Sequence, residues 1–241
     1  MTISNILGRG IANASIAECV EYALHLMGNE RTQYVIAADS EMMHTISENK
    51  RLRAAAKSAS LVLPAGNGVL AASSILGYPI RERVTAIDFA GALLARMSEK
   101  GMSVYIFGPD YDTVELVKEN ISYKYPGLKI SSGDEDYYYN ELELFEDISD
   151  INPDLLLACQ GSPKQEYWMY KHRDDIKAGL MLGFGDGFKY FAGEAQRAPK
   201  RWRDSGFEWL YWIIKEPKRL VRTMKRTWII FAAIWRRAFG Y

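Results

Sequence analysis

Two cysteines and three histidines in a chain of 241 residues exclude several kinds of protein at once. Cys19 and Cys159 are too few and too far apart for a secreted disulfide scaffold, which points to the cytoplasm. They fit no zinc spacing, and His25, His44 and His172 form no HxH or HxxxH pair, so neither a structural metal nor a cofactor is expected. The GxGxxG fingerprint is missing, which counts against a dinucleotide-dependent oxidoreductase. The longest apolar run, 228–235, falls far short of the roughly 20 residues a membrane-spanning helix needs. The opening MTISNILGRG has neither the basic nor the apolar region of a signal peptide. Repeats and low-complexity tracts are absent. Net charge is also missing, with 30 Lys and Arg against 30 Asp and Glu.

That zero hides a division. Residues 196–241 carry 12 Lys and Arg against 3 Asp and Glu, a net of +9, so residues 1–195 carry −9. Trp202, Trp209, Trp212, Trp228 and Trp235, five of the six tryptophans, lie in the same tail. Cations meet lipid phosphates and indoles settle among headgroups, so the pattern suits peripheral binding to an anionic membrane. A basic helix packed on its own domain, or one that binds nucleic acid, is the plainer alternative. The membrane reading is preferred, with no nucleic-acid partner expected. Composition changes near Arg197-Ala198-Pro199, which divides the chain into a core of 1–195 and a basic helical appendage of 196–241.

Within the core, short apolar runs alternate with helical patterns. Strands are expected at 34–38, 60–63, 103–107, 128–131, 154–159 and 179–184. Helices are expected at 41–57, 67–76, 86–98, 111–124 and 142–148, with another after Pro163. Residues 133–140 (GDEDYYYN) look like a loop. Such alternation predicts an α/β fold: a Rossmann-like parallel sheet with helices on both faces. Ligands bind beyond the carboxyl ends of such strands.

Glycine-containing turns follow several of these strands. Gly66-Asn67-Gly68 could bring backbone close to a ligand. Gly108 follows the 103–107 strand. In Gly161-Ser162-Pro163-Lys164, Ser162 suits a helix N-cap and Pro163 the first helical position. Free N–H groups there, with Lys164, would make an anion site; ordinary capping explains the residues equally well. Gly185, in Gly183-Phe184-Gly185-Asp186-Gly187, is a further ligand-approach candidate, and a tight turn explains it nearly as well. Asp39, Asp88 and Asp186 fall near strand ends or turns. Each is a candidate general base, and each could equally be a helix cap.

The run Gly161-Ser162-Pro163-Lys164-Gln165-Glu166-Tyr167-Trp168 resembles the GxPKQExW signature of the WecG/TagA/CpsF glycosyltransferases. Pro79-Ile80-Arg81-Glu82-Arg83-Val84 before Asp88, Tyr125-Pro126-Gly127-Leu128, Ala192-Gly193 with Arg197-Ala198-Pro199, and Gly206-Phe207-Glu208-Trp209-Leu210-Tyr211 with Glu216-Pro217-Lys218-Arg219 continue it in family order. The resemblance implies an inverting, metal-independent transferase. Its donor would be a UDP-sugar and its acceptor a polyprenyl-diphosphate-linked saccharide, at the cytoplasmic membrane face. It also implies that Arg83, Gln165, Glu166 and Arg197 line the site, and that the appendage docks to membrane and supplies arginine, for which Arg219, Arg222 and Arg226 are spaced along one helix face. Assembly into a homo-oligomer is left open.

The chain departs from that family where its presumed base aspartate stands, because Ala65 occupies the position and cannot accept a proton. The first strand ends Ala37-Ala38-Asp39 in place of the family's Thr-x-Asn, and Lys189 replaces an aspartate. Three readings follow: Ala65 is a substituted base, Asp39 has taken over the role, or the chain binds without catalysing. The donor sugar could differ from N-acetylmannosamine.

Overall fold

The computed structural model describes residues 1–108, 110–133, 141–199, 201–202, 208–215 and 220–239, without the side chains of 208–209, 212–213 and 220–226. The chain opens with a hairpin, β1 (Thr2–Ile6) and β2 (Arg9–Asn13), followed by α1 (Ile16–Leu26). Next come β3 (Gln33–Ala38), α2 (Ser40–Glu48), α3 (Lys50–Ser58), β4 (Leu61–Pro64), α4 (Asn67–Ile75) and α5 (Ala86–Glu99). β5 (Ser103–Phe107), α6 (Tyr111–Lys124), β6 (Lys129–Gly133), α7 (Glu141–Ile151), β7 (Leu155–Ala158), α8 (Lys164–His172), β8 (Leu180–Gly183) and α9 (Gly187–Phe191) complete the core. The tail contributes α10 (Glu208–Lys215) and α11 (Leu220–Phe239).

The main sheet is parallel, in the order β4-β3-β8-β7-β5-β6. Strand alternation builds a core on each face. Tyr34, Ile36, Tyr105, Phe107, Leu156 and Met181 point to one side, where α2, α3, α7, α8 and α11 cover them. Val35, Val104, Ile106, Leu155, Leu157, Leu180 and Leu182 point to the other, beneath α1, α5 and α6. The expected Rossmann-like architecture is therefore present. The chain winds outward through β3 and β4 on one side and through β5 and β6 on the other. β7 and β8 fill the middle, so the carboxyl ends of β3, β8 and β7 adjoin the point where the winding reverses.

One expectation is corrected. The helix expected over 41–57 is two helices, because Asn49 takes an extended conformation and its side chain accepts from the N–H groups of Arg51 and Leu52, capping α3. The hairpin and α1 carried no expectation at all. Most of the expected loop at 133–140 lies outside the described residues, while Gly133 itself ends β6.

The tail helix is joined to the core. Ile229 and Ala233 are fully buried. The Trp228 ring meets His44 of α2 edge-on at 5.2 Å, and the Arg237 guanidinium donates to the Ile75 carbonyl at the end of α4. Its other face is open: Phe231 is 69% exposed and Trp235 62%, with Ile234 and Phe239 beside them. No described helix is long and apolar enough to cross a membrane.

Candidate active site

The turns singled out in the sequence gather at one edge of the sheet. Asp39 directly follows β3 and caps α2, its Oδ1 accepting from the Met42 N–H at 2.8 Å. The Ala65 N–H donates to the Ala38 carbonyl at 2.9 Å, which ties the turn after β4 to the end of β3. A Cβ on Gly66 would stand 3.0 Å from the Asp39 Cβ, so the Asp39 side chain lies against the Ala65-Gly66 turn. A Cβ on Gly68 would fall 2.1 Å from the Ser40 hydroxyl and 3.4 Å from Ile229 of α11. A side chain at 68 would displace the Ser40 hydroxyl of α2 and reach van der Waals contact with the tail helix. Asn67 begins α4, and Ala37 is half-buried near the end of β3.

The second half of the edge is built by α8. Gly161 has φ of 78°. The helix begins at Lys164 with Pro163 at its cap and no side-chain capping bond, so Ser162 is not the N-cap expected for it. Lys164 is exposed at the helix start. Gln165 and Glu166 are buried, against the usual habit of such residues. The Gln165 Oε1 accepts from the Gly185 N–H at 2.8 Å. Its Nε2 donates to the Glu166 Oε1, also at 2.8 Å. Gly185 has φ of 52°, a conformation that suits glycine and turns its N–H toward this amide. Burial pushes the Glu166 carboxyl up to about 7, and the charge of Asp39 adds to the rise, while hydrogen bonding from Gln165 and Ser162 opposes it. Gly108 closes the row after β5 with φ of 120°.

Asp88 and Arg197 are joined to each other. Arg197 grips both carboxylate oxygens, its Nη2 reaching Oδ2 at 3.1 Å. Thr85, the cap of α5, donates to Oδ2 at 2.7 Å and accepts from the Asp88 N–H. Burial works to raise the Asp88 value, but the Arg197 and Thr85 hydrogen bonds and the charges of Arg197 and Arg83 outweigh it and hold the carboxyl low. The pair borders a cleft of about 420 Å³ between α5, α6 and α9. Nothing in the sequence announces a partnership across 109 positions, although each residue lies in a motif of its own.

Asp186 forms an ion pair with Lys189 at 3.2 Å. Arg219 and the side chain of Arg222 lie outside the described residues. Among the described residues, no group of three or more His, Cys, Asp or Glu is placed to hold a metal ion.

Comparison with known proteins matches residues 4–241 to the model of the glycosyl transferase WecG/TagA/CpsF family. An N-acetylglucosaminyldiphosphoundecaprenol N-acetyl-beta-D-mannosaminyltransferase of Bacillus spizizenii is 26% identical over 212 residues, covering 86% of this chain and 82% of the relative. A Staphylococcus aureus protein of the same name is 26% identical over 223 residues, covering 90% and 87%. With nearly its whole length matched and its signature turns at the carboxyl edge of a parallel sheet, the chain belongs to the WecG/TagA/CpsF family of glycosyl transferases.

Proposed function

We propose that this protein transfers a sugar, with inversion, from a UDP-sugar to a polyprenyl-diphosphate-linked saccharide. The reaction takes place at the cytoplasmic face of the membrane, during synthesis of a cell-surface polymer. The relatives' printed activity supplies the acceptor class and the N-acetylmannosaminyl precedent. The observation that carries the reading is the buried Gln165–Glu166 pair bonded to the Gly185 turn, at the sheet edge where ligands of such folds bind.

The chemistry needs a base for the acceptor hydroxyl and stabilisation of charge developing on the departing UDP. Asp39 is assigned as the base. It is the carboxylate that lies against Ala65-Gly66, and only one of its oxygens is engaged by the Met42 N–H. Asp88 is given no proton to transfer, because Arg197 and Thr85 occupy its carboxylate; it positions Arg197 instead. Backbone N–H groups at Gly66-Asn67-Gly68 and at the start of α8, Lys164, Arg83 and tail arginines 219 and 222 provide donors for the diphosphate without a metal.

The second reading is a binding-competent but inactive protein, and Ala65 is the residue that favours it. Transfer measured with a lipid-diphosphate acceptor and a panel of UDP-sugars, with EDTA present, separates the two. Turnover by the unaltered chain that survives EDTA supports the proposal. Turnover only after Ala65→Asp supports the second reading. Loss of UDP binding in EDTA overturns metal independence.

A further inference from the structure

A carboxylic acid buried to 2% exposure needs a reason. The Glu166 Oε1 has one, since it accepts from Gln165 Nε2. Its Oε2 is fully shielded and has no hydrogen bond of ordinary geometry. Among the described residues, the neighbouring charge that shifts its carboxyl is the negative one of Asp39. From β8 it faces the backbone of Gly183, whose added Cβ would lie 3.3 Å from Oε1 and 2.9 Å from Gln165 Nε2. From its own turn it faces the Ser162 hydroxyl, and from the head of α2 it feels the carboxylate of Asp39. An acceptor-only carboxylate would leave Oε2 buried and unpaired beside another negative group. A neutral acid would still accept at Oε1 and would remove the charge from the shielded end, which costs less than burying an unpaired anion.

We propose that Glu166 works as a neutral carboxylic acid and is a positioning residue of the site. Through Oε1 it fixes the Gln165 amide, and through Gln165 it fixes the Gly185 turn. While protonated, it withholds one negative charge from an edge that receives a diphosphate. This last point rests on the UDP-sugar reading; the protonation does not. The burial that pushes the carboxyl up to about 7, from an ordinary 4.5, is consistent with this. The sign then follows. Between those two values the folded chain binds more protons than the unfolded one, so stability falls as pH rises from 4.5 to 7 and levels off above.

The test compares the unaltered protein with Glu166→Gln, which mimics the neutral acid. Thermal denaturation is followed from pH 5 to pH 9, with and without UDP. The unaltered protein should lose several degrees of Tm between pH 5 and 8 relative to the variant, and its UDP affinity should drop several-fold more than the variant's. Selective 13C labelling of glutamate side chains should show one carboxyl titrating near 7. That measurement stands even if the variant does not fold. Parallel Tm curves, or no glutamate titrating above 6, overturn the protonation. A separate Tm response with identical UDP profiles overturns the electrostatic role alone. Absence of any UDP effect in either protein, with the Tm difference intact, places the failure in the ligand reading.

Discussion

On the proposed reading a single carboxylate is the base, and its place beside the Ala65-Gly66 turn makes Asp39 the one to remove. Asp39 shares the turn with Ala65 and keeps one oxygen clear of the α2 cap. Asp39→Asn keeps an oxygen for that cap while removing the proposed base. It is expected to lower transfer by about 10²–10⁴-fold with little change in Tm. Ala65→Asp restores a carboxylate on the neighbouring strand end and should rescue Asp39→Asn in the same assay. Equal low activity in all three proteins would remove both accounts. Asp88 belongs to a different class, since its value is held below the ordinary 3.8. Its contribution to stability is therefore present above that pH and lost as pH falls through the lower folded value. A double-mutant cycle of Asp88→Asn and Arg197→Ala should give a coupling of about 1 kcal/mol at pH 7, because Asp88 is partly solvated. The coupling should shrink as pH falls below the ordinary value.

At the scale of the element, the parallel strands were legible because each is a short apolar run: β5 and β7 stand where the residues place them. The family signature was legible as a string of types at fixed spacing. What it did for the fold was not, because the hydrogen bonds from Gln165 to Gly185 and Glu166 join separate elements. The hairpin escaped because Leu7 takes a positive φ of 51° ahead of Gly8, where the common turns carry Asn or Asp. The break at Asn49 escaped because periodicity continues across it. The tail helix was read from charge and tryptophan alone, which marks polarity but not packing. Ile229, within the tail read as membrane-binding, is a core residue. Ile229→Ala should destabilise the protein by about 2–4 kcal/mol in denaturant titration, and it should disturb the Gly68 turn that the side chain overlies. An unchanged midpoint would detach the helix from the core.

The whole molecule is an electric dipole in sequence terms, with +9 in residues 196–241 and −9 before them. Because α11 packs on α2 and α4 beside the Gly66-Asn67-Gly68 turn, a membrane bound by that helix would lie close to the active edge. On the proposed function, that is where a lipid-linked acceptor would present its hydroxyl. The buried stripe of Ile229 and Ala233 cannot also face lipid, which leaves the exposed Phe231, Ile234, Trp235 and Phe239 as the face proposed to meet a membrane. Deleting the tail would confuse the two roles by uncovering the core. A substitution confined to the outer face separates them, and Phe231→Ser with Trp235→Ser is the cleanest pair. The unaltered protein should bind anionic vesicles, weakening with salt as charge attraction is screened over about 10 Å at 0.1 M. A salt-resistant fraction should remain from the apolar side chains. The double variant should keep its Tm and its UDP response, lose the salt-resistant fraction, and fall in transfer to a lipid acceptor more than to a short-chain soluble one. Vesicle binding with the same salt dependence in both proteins would move the membrane contact to another surface, and a matching loss of Tm would show that the outer face also serves the fold.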